Sequence, residues 1–404
     1  MATKTEYIKN SSLSSGKVIA FGSSGCVFYP ALKCDGKKTS PNIVSKLMHN
    51  REANKEYENI MHIRSKVSEI PNYEDYFLLD VVKCKPKPLT EAQLKELSKC
   101  TSLFPEDINE SINDFTVLNM QYGGQPIDDY IYDSGSFEKI YEVHTGLAKL
   151  LVNGIIPMNK LNIYHCDIKD SNVLIDTKIR LIDWGLFAEY ESNGSFPQIW
   201  RNRPLQYNVP FSIILFTDVF IQKYAKYKSE EGGEYNEAKL KLFVVKYVME
   251  EIGAKHYDFI KEIMKLLFLN SGELEESEIE TVTIEFIVNY IVKILVHFKE
   301  DWFRIYLDNV YTKTVDIWGF IIAYYPILEV LSCSYSKLTK VEIKIFKQLQ
   351  FIFVNYLYDP EKPYEPIDID GLFGDLDILG KLIYFKINGG SYTSYESPFS
   401  LSEK

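Results

Sequence analysis

Residues Tyr164–Asn172 read YHCDIKDSN, and eleven residues beyond Asn172 an aspartate, Asp183, stands in the string LIDWG that ends at Gly185. Asp167, Lys169, Asn172 and Asp183 therefore recur at short fixed spacing around two apolar, strand-like runs, VLI and IRLI. These residue types suit phosphoryl transfer, which asks a protein for positioning and charge neutralisation more than for covalent help. Asn172 and Asp183 offer oxygen ligands for Mg²⁺, with Mn²⁺ as the alternative, on a nucleoside triphosphate such as ATP. Asp167 can accept or orient a hydroxyl proton, and Lys169 can neutralise the migrating γ-phosphoryl.

Such groups need a second set that holds the nucleotide. Between Lys17 and Val27 the sequence KVIAFGSSGCV places β-rich runs on either side of a small-residue turn, a hairpin signal. Gly22, Ser23, Ser24 and Gly25, with Val27 after them, would let backbone amides approach phosphates, and Lys46 in the next predicted strand, Asn42–Met48, would hold the α- and β-phosphates. A charged helix is expected over Arg51–Val67, and two more strands at YFLLDVV and FTVLNMQY. Gly123 and Gly124 then punctuate the chain, and helical periodicity follows. The expected domains are residues 1–122, β-rich, and 123–390, mainly helical, with a helical insertion at about 212–312 and a mobile tail at 391–404. Within the insertion Ile284, Ile287, Val288, Ile291, Leu295 and Phe298 make an apolar stripe behind a capping box, Ser277-x-x-Glu280.

The composition narrows the classes. A chain of 404 residues, 46% apolar, can bury one or two cores, and its net charge of −11 speaks against nucleic acid as a partner. Six scattered cysteines without a Cys-x-x-Cys pair fit neither a zinc site nor a disulfide framework, which makes an intracellular, reducing compartment the simplest expectation. No apolar run is long enough to span a membrane, and Ile317–Leu328, interrupted by Pro326, reads as a buried helix.

In motif order the chain resembles the eukaryotic-type Ser/Thr protein kinases, over most of its length. Ala20-Phe-Gly22-Ser-Ser-Gly25-Cys-Val27 looks like their glycine-rich loop, Lys46 like their strand lysine, and Met120-Gln121-Tyr122-Gly123 like their gatekeeper and hinge. HCDIKDSN and DWG look like the catalytic and metal loops, and Asp316-Ile-Trp-Gly319 like the start of a buried helix whose aspartate braces the catalytic loop. The resemblance implies an α+β, bilobal protein-kinase-like fold that transfers phosphoryl groups from Mg-ATP to protein substrates. It also implies a helix glutamate for Lys46, with Glu56 chosen over Glu52 and Glu58. The tyrosine-, isoleucine- and lysine-rich composition and the departures from pattern look most like the kinases of large nucleocytoplasmic DNA viruses, which would place the protein in host cytoplasm or virion.

Those departures are Ala20 for the first loop glycine, Trp184 for the usual Phe, Cys166 for the usual Arg, and RNRPLQYNVPF (Arg201–Phe211) where Ala-Pro-Glu is usual. With a neutral thiol at Cys166, the simplest expectation is that Leu186–Pro210 is held by its own packing rather than by a bound phosphate. The enlarged insertion is read as a site for a partner protein or substrate. The rival readings are a catalytically weak kinase-fold binding module and a small-molecule phosphotransferase of aminoglycoside-kinase type.

Overall fold

The computed structural model describes residues 16–22, 25–35, 42–100, 103, 108–230, 236–251, 254–299, 302–391 and 393–399. By internal packing the chain divides into two compact units, Met1–Gln125 with Leu174–Gly185, and Pro126–Val173 with Leu186–Lys404. The first unit thus extends past Tyr122, the boundary expected from the glycines, and takes in a later hairpin.

The first unit is built on strands β1 (Lys17–Gly22), β2 (Gly25–Tyr29), β3 (Ile43–His49), β4 (Val81–Cys84) and β5 (Phe115–Gln121). They form one sheet in the order β1-β2-β3-β5-β4, with antiparallel neighbours. β-branched and aromatic residues favour these runs, and the longest register joins β3 to β5 from Ile43 opposite Gln121 to His49 opposite Phe115. Gly25 is required here by packing: a Cβ would lie 2.3 Å from the Leu47 carbonyl oxygen of β3. Helix α1 (Asn50–Val67) follows β3 directly and buries Ala53, Ile60, Ile63 and Val67. Helix α2 (Glu91–Leu97) starts at a full capping box of Thr90 and Gln93, which the sequence displays and which the reading above passed over. The short hairpin of Val173–Ile175 and Ile179–Leu181 joins this unit through Leu181, whose N–H donates to the Tyr76 carbonyl and whose carbonyl accepts from Leu78.

The cysteine reading is overturned in this unit. Cys26 is bonded to Cys100 and Cys34 to Cys84, with Cα atoms 6.2 and 5.9 Å apart, inside the usual range for a disulfide. The partners are 74 and 50 residues apart in sequence, so no local spacing announces them; the sheet and the segment after α2 bring them into one apolar cluster with Phe28, Leu47, Leu97 and Val117. With the bridges present, cysteine spacing no longer argues for a reducing compartment.

The second unit is mainly helical: α3 (Ile127–Tyr132), α4 (Phe137–Leu150), α5 (Ile156–Lys160), α6 (Asp218–Glu230), α7 (Glu237–Glu251), α8 (Ala254–Met264), α9 (Ile279–Phe298), α10 (Trp302–Tyr306), α11 (Thr312–Ile322), α12 (Tyr325–Cys333), α13 (Lys340–Phe353) and α14 (Ile369–Ile387). With the β-rich first unit, the chain is α+β in class, and the second unit is its helical part. Its core centres on α11, in which every residue except Lys313 is buried. Trp318 packs edge-on against Phe211 and Tyr290, and Tyr290 lies on α9, so the insertion belongs to this core rather than hanging from it. The expected start of α9 is corrected: Ser277 is not its cap. Glu278 occupies that position without a side-chain cap, and its carboxylate instead accepts from the Glu275 N–H.

Two further expectations change. The helical stretch Phe303–Cys333 is long and apolar enough to cross a bilayer, with mean hydropathy 1.4, although the sequence reading found no such run. Its most apolar window is 89% buried inside the protein, the mark of a core helix, and α11 gives way to α12 just before Pro326. Of the expected tail, residues 392 and 400–404 lie outside the described residues; within 393–399 the Tyr395 hydroxyl donates to the Asp377 carboxylate of α14, and Phe399 stacks on Phe373. Aromatic anchors spaced too irregularly to show a period hold it there.

His144 on α4 is 1% exposed; its Nδ1 meets the Tyr324 hydroxyl at 3.1 Å, and Nε2 has no partner among the described residues. Burial pushes its pKa down to about 4, against a weaker upward pull from Asp377. The unfolded chain therefore binds the extra proton first as pH falls, so this residue's contribution is complete above its ordinary value of 6.5 and is lost toward about 4. The unfolding free energy from urea titration should fall more steeply with acidification for the native protein than for His144→Leu, by at most about 1.4 kcal/mol per pH unit. Equal slopes would contradict a neutral buried imidazole.

Candidate active site

In the second unit, Tyr164–Asn172 forms a loop hung on one carboxylate. Asp316 of α11, 1% exposed, accepts the His165 N–H at 2.9 Å and the Asn159 side-chain amide at 2.7 Å on Oδ2, and the Cys166 N–H at 2.8 Å on Oδ1. Burial pushes its pKa up, opposed by nearby His165 and by these N–H donors. The tether matters because Cys166 has a φ of 60°, the left-handed region that a non-glycine residue occupies only at a cost. Gly319, one turn along α11, makes the close approach possible: a Cβ there would stand 2.7 Å from the Ile168 carbonyl oxygen.

The loop turns three site residues onto one another. Asp167 is 8% exposed, and its Oδ2 accepts from Lys169 Nζ at 2.9 Å and from Asn172 Nδ2 at 2.9 Å. Asn172 Nδ2 also reaches the Asp167 carbonyl at 2.8 Å, so the amide nitrogen faces Asp167. A third donor, Asn208 Nδ2, reaches Asp167 Oδ1 at 2.8 Å. The carboxylate thus has a fixed orientation and three donors, the arrangement expected of a base that must meet a hydroxyl at one angle.

Lys46 and Glu56 are brought together in the first unit, where Lys46 Nζ lies 2.7 Å from each Glu56 carboxylate oxygen. β3 delivers the lysine opposite Val27 and Leu118, and α1 delivers the glutamate two turns in. Gly22 ends β1 in open space, while Ser23 and Ser24 lie outside the described residues. Met120 and Gln121 close β5, and Tyr122 donates its N–H to the Asn42 carbonyl and stacks on Tyr29 at 4.5 Å. Asp183 has a φ of 65° and accepts the Gly185 N–H at 3.4 Å, while Trp184 packs edge-on against Phe77. Carboxylate and amide oxygens are the hard donors that Mg²⁺ takes, so the residue types at Asp183 and Asn172 fit that ion.

Between Trp200 and Asn208, sequence reasoning offered Arg201 and Arg203 as candidate anchors of the loop and passed over Trp200 and Asn208. Trp200, fully buried among Tyr164, Tyr190 and Tyr311, donates Nε1–H to Cys166 Sγ at 3.1 Å. Arg203, 6% exposed, donates twice to the Cys166 carbonyl, each at 3.1 Å, and also to Gln206. Trp318 Nε1 donates to the Tyr207 carbonyl at 2.9 Å. The one available signal was a polar Asn208 inside the otherwise apolar end of RNRPLQYNVPF.

No family model matches the chain. Over 84 residues it is 33% identical to calcium-dependent protein kinase 4 of Plasmodium berghei (strain Anka) and 32% identical to calcium-dependent protein kinase 4 of Plasmodium falciparum (isolate 3D7). Each match spans 19% of this chain and 15% of the relative. A solved kinase-domain crystal structure is similar at 14% identity and a TM-score of 0.32, over 50% of this chain and 59% of that one. The chain is thus similar in sequence to protein kinases over a limited stretch.

Replacing Asp316 by Asn would turn one acceptor into a donor facing buried N–H groups. At about 1–3 kcal/mol for each group left unpaired, Asp316→Asn should lose about 2–4 kcal/mol in urea unfolding. A loss below about 0.5 kcal/mol would show that the loop does not depend on the tether.

Proposed function

We propose that the protein is an ATP-dependent protein kinase that phosphorylates Ser or Thr hydroxyls of protein substrates. The observation that carries this reading is the set of donors around Asp167: Lys169, Asn172 and Asn208 fix both carboxylate oxygens of a loop residue whose backbone is itself tethered. Similarity to calcium-dependent protein kinase 4 over 84 residues supports the same class.

In this reading Asp167 receives or orients the proton of the attacking hydroxyl. Lys169, within reach of Asp167, neutralises charge on the migrating phosphoryl, and its place two residues after the aspartate favours a Ser/Thr acceptor. Lys46, oriented by Glu56, addresses the nucleotide phosphates. Asn172 and Asp183 supply oxygens for Mg²⁺, which when bound would offset phosphate charge. A scaffold that only bound partners would have no need of the base, the lysines and both metal-type ligands together.

Turnover of ATP with a peptide library, read by phosphosite mapping, tests the activity. Asp167→Asn should lower kcat by about 10²–10⁴ while leaving the nucleotide-induced thermal shift in place. Chelating divalent metal should abolish both turnover and the shift. Undiminished turnover by Asp167→Asn, or in excess chelator, would refute the assignment.

A further inference from the structure

We propose that Asn208 is a positioning residue for Asp167, and that Arg203 and Trp200 seat it by fastening Trp200–Asn208 to the backbone and thiol of Cys166. The inference rests on the kinase reading and concerns how that site is regulated.

The argument begins with where the three donors to Asp167 come from. Lys169 and Asn172 belong to the same loop as the aspartate, so they travel with it. Asn208 comes from 41 residues further on, and is the donor that fixes the carboxylate against a different part of the unit. It is 2% exposed, and its amide nitrogen also lies 3.4 Å from the Ile168 carbonyl, so the side chain is committed to this loop. Its backbone is wedged as well, because the Asn208 carbonyl oxygen would stand 3.2 Å from a Cβ on Gly319. Being neutral, the amide orients the carboxylate without placing another cation on it.

Asn208 can act this way only if its own segment is held. Trp200 to the Cys166 thiol, Arg203 twice to the Cys166 carbonyl, and Trp318 to the Tyr207 carbonyl supply those attachments. Arg203 is spent on a backbone carbonyl and Gln206, both neutral, so its guanidinium needs no added phosphate to be seated. Cys166 cannot be replaced here without consequence: its side chain receives Trp200 while its carbonyl receives Arg203. The site is therefore assembled by internal contacts, and phosphorylation within Leu186–Pro210 is not required for it.

The test compares full-length wild type with Asn208→Ala and Asn208→Thr, the latter keeping a hydroxyl donor. Asn208→Ala is expected to lower kcat about ten- to hundredfold with KM for ATP within about twofold, since misplacing a reacting group by about an ångström has such an effect. Asn208→Thr should recover most of that loss, and phosphatase treatment of wild type should leave the initial rate within about twofold. Hydrogen exchange at residues 165–169 gives a readout that does not depend on turnover, and should speed up in Asn208→Ala alone. Wild-type kcat in Asn208→Ala, equal losses in the two variants, or a tenfold fall on phosphatase treatment would each overturn the proposal while leaving the kinase reading intact. Faster exchange in Asn208→Ala within a protein that never turns over ATP would support the positioning contact and remove the kinase reading. Should Asn208→Ala fail to fold, Asn208→Thr with wild-type exchange and a hundredfold lower kcat would equally overturn it.

Discussion

The second unit depends on one buried carboxylate. Asp316 receives two successive backbone N–H groups, from His165 and Cys166, and the side chain of Asn159. Buried bonds of this kind are costly to leave unmade, and that matters because Cys166 is held in the left-handed region. Once that residue is pinned, its carbonyl points to Arg203, its thiol to Trp200, and the next residue presents its carboxylate to Lys169, Asn172 and Asn208. The helix that carries Asp316 is in turn immobilised by the aromatic packing of Trp318 against Phe211 and Tyr290, which links the insertion to the chemistry through the core.

The first unit reaches order by other means. Sheet register sets Lys46 between Val27 and Leu118, and the immediate passage from β3 into α1 sets Glu56 within reach. Lys46 and Glu56 are themselves only ten residues apart, so their pairing is local. A strand's alternation and a helix's turn are enough to place a cation and an anion together, provided the junction between them is short.

That difference explains what the sequence made visible. The meeting of Asp167 with Lys169 and Asn172 was legible because their spacing is local, and so were the alternating strands and the stripe of α9. Asp316 was found only through the resemblance. Asn208 and Trp200 escaped notice because their partners lie 41 and 34 residues away and their types are ordinary for a loop. The cysteine bridges failed for the same reason at greater separation. The Ser277-x-x-Glu280 box misled in the other direction: a local pattern was present, but the helix starts at Ile279 with Glu278 in the cap position, one residue too late for Ser277 to cap it.

The two bridges also make the glycine turn of the first unit mechanically lopsided. On its far side, Gly25 is pressed against the β3 backbone and Cys26 is covalently tied to Cys100 beyond α2. On its near side, Gly22 stands in open space at the end of an edge strand, one that pairs with β2 alone, carries an irregularity between Val18 and Ala20, and meets α2 through a hydrogen bond from Val18 to Glu96. The two strands that flank the glycines are thus restrained unequally, β2 by a covalent bond as well as its pairing, β1 by its pairing with β2 and the bond from Val18 to Glu96.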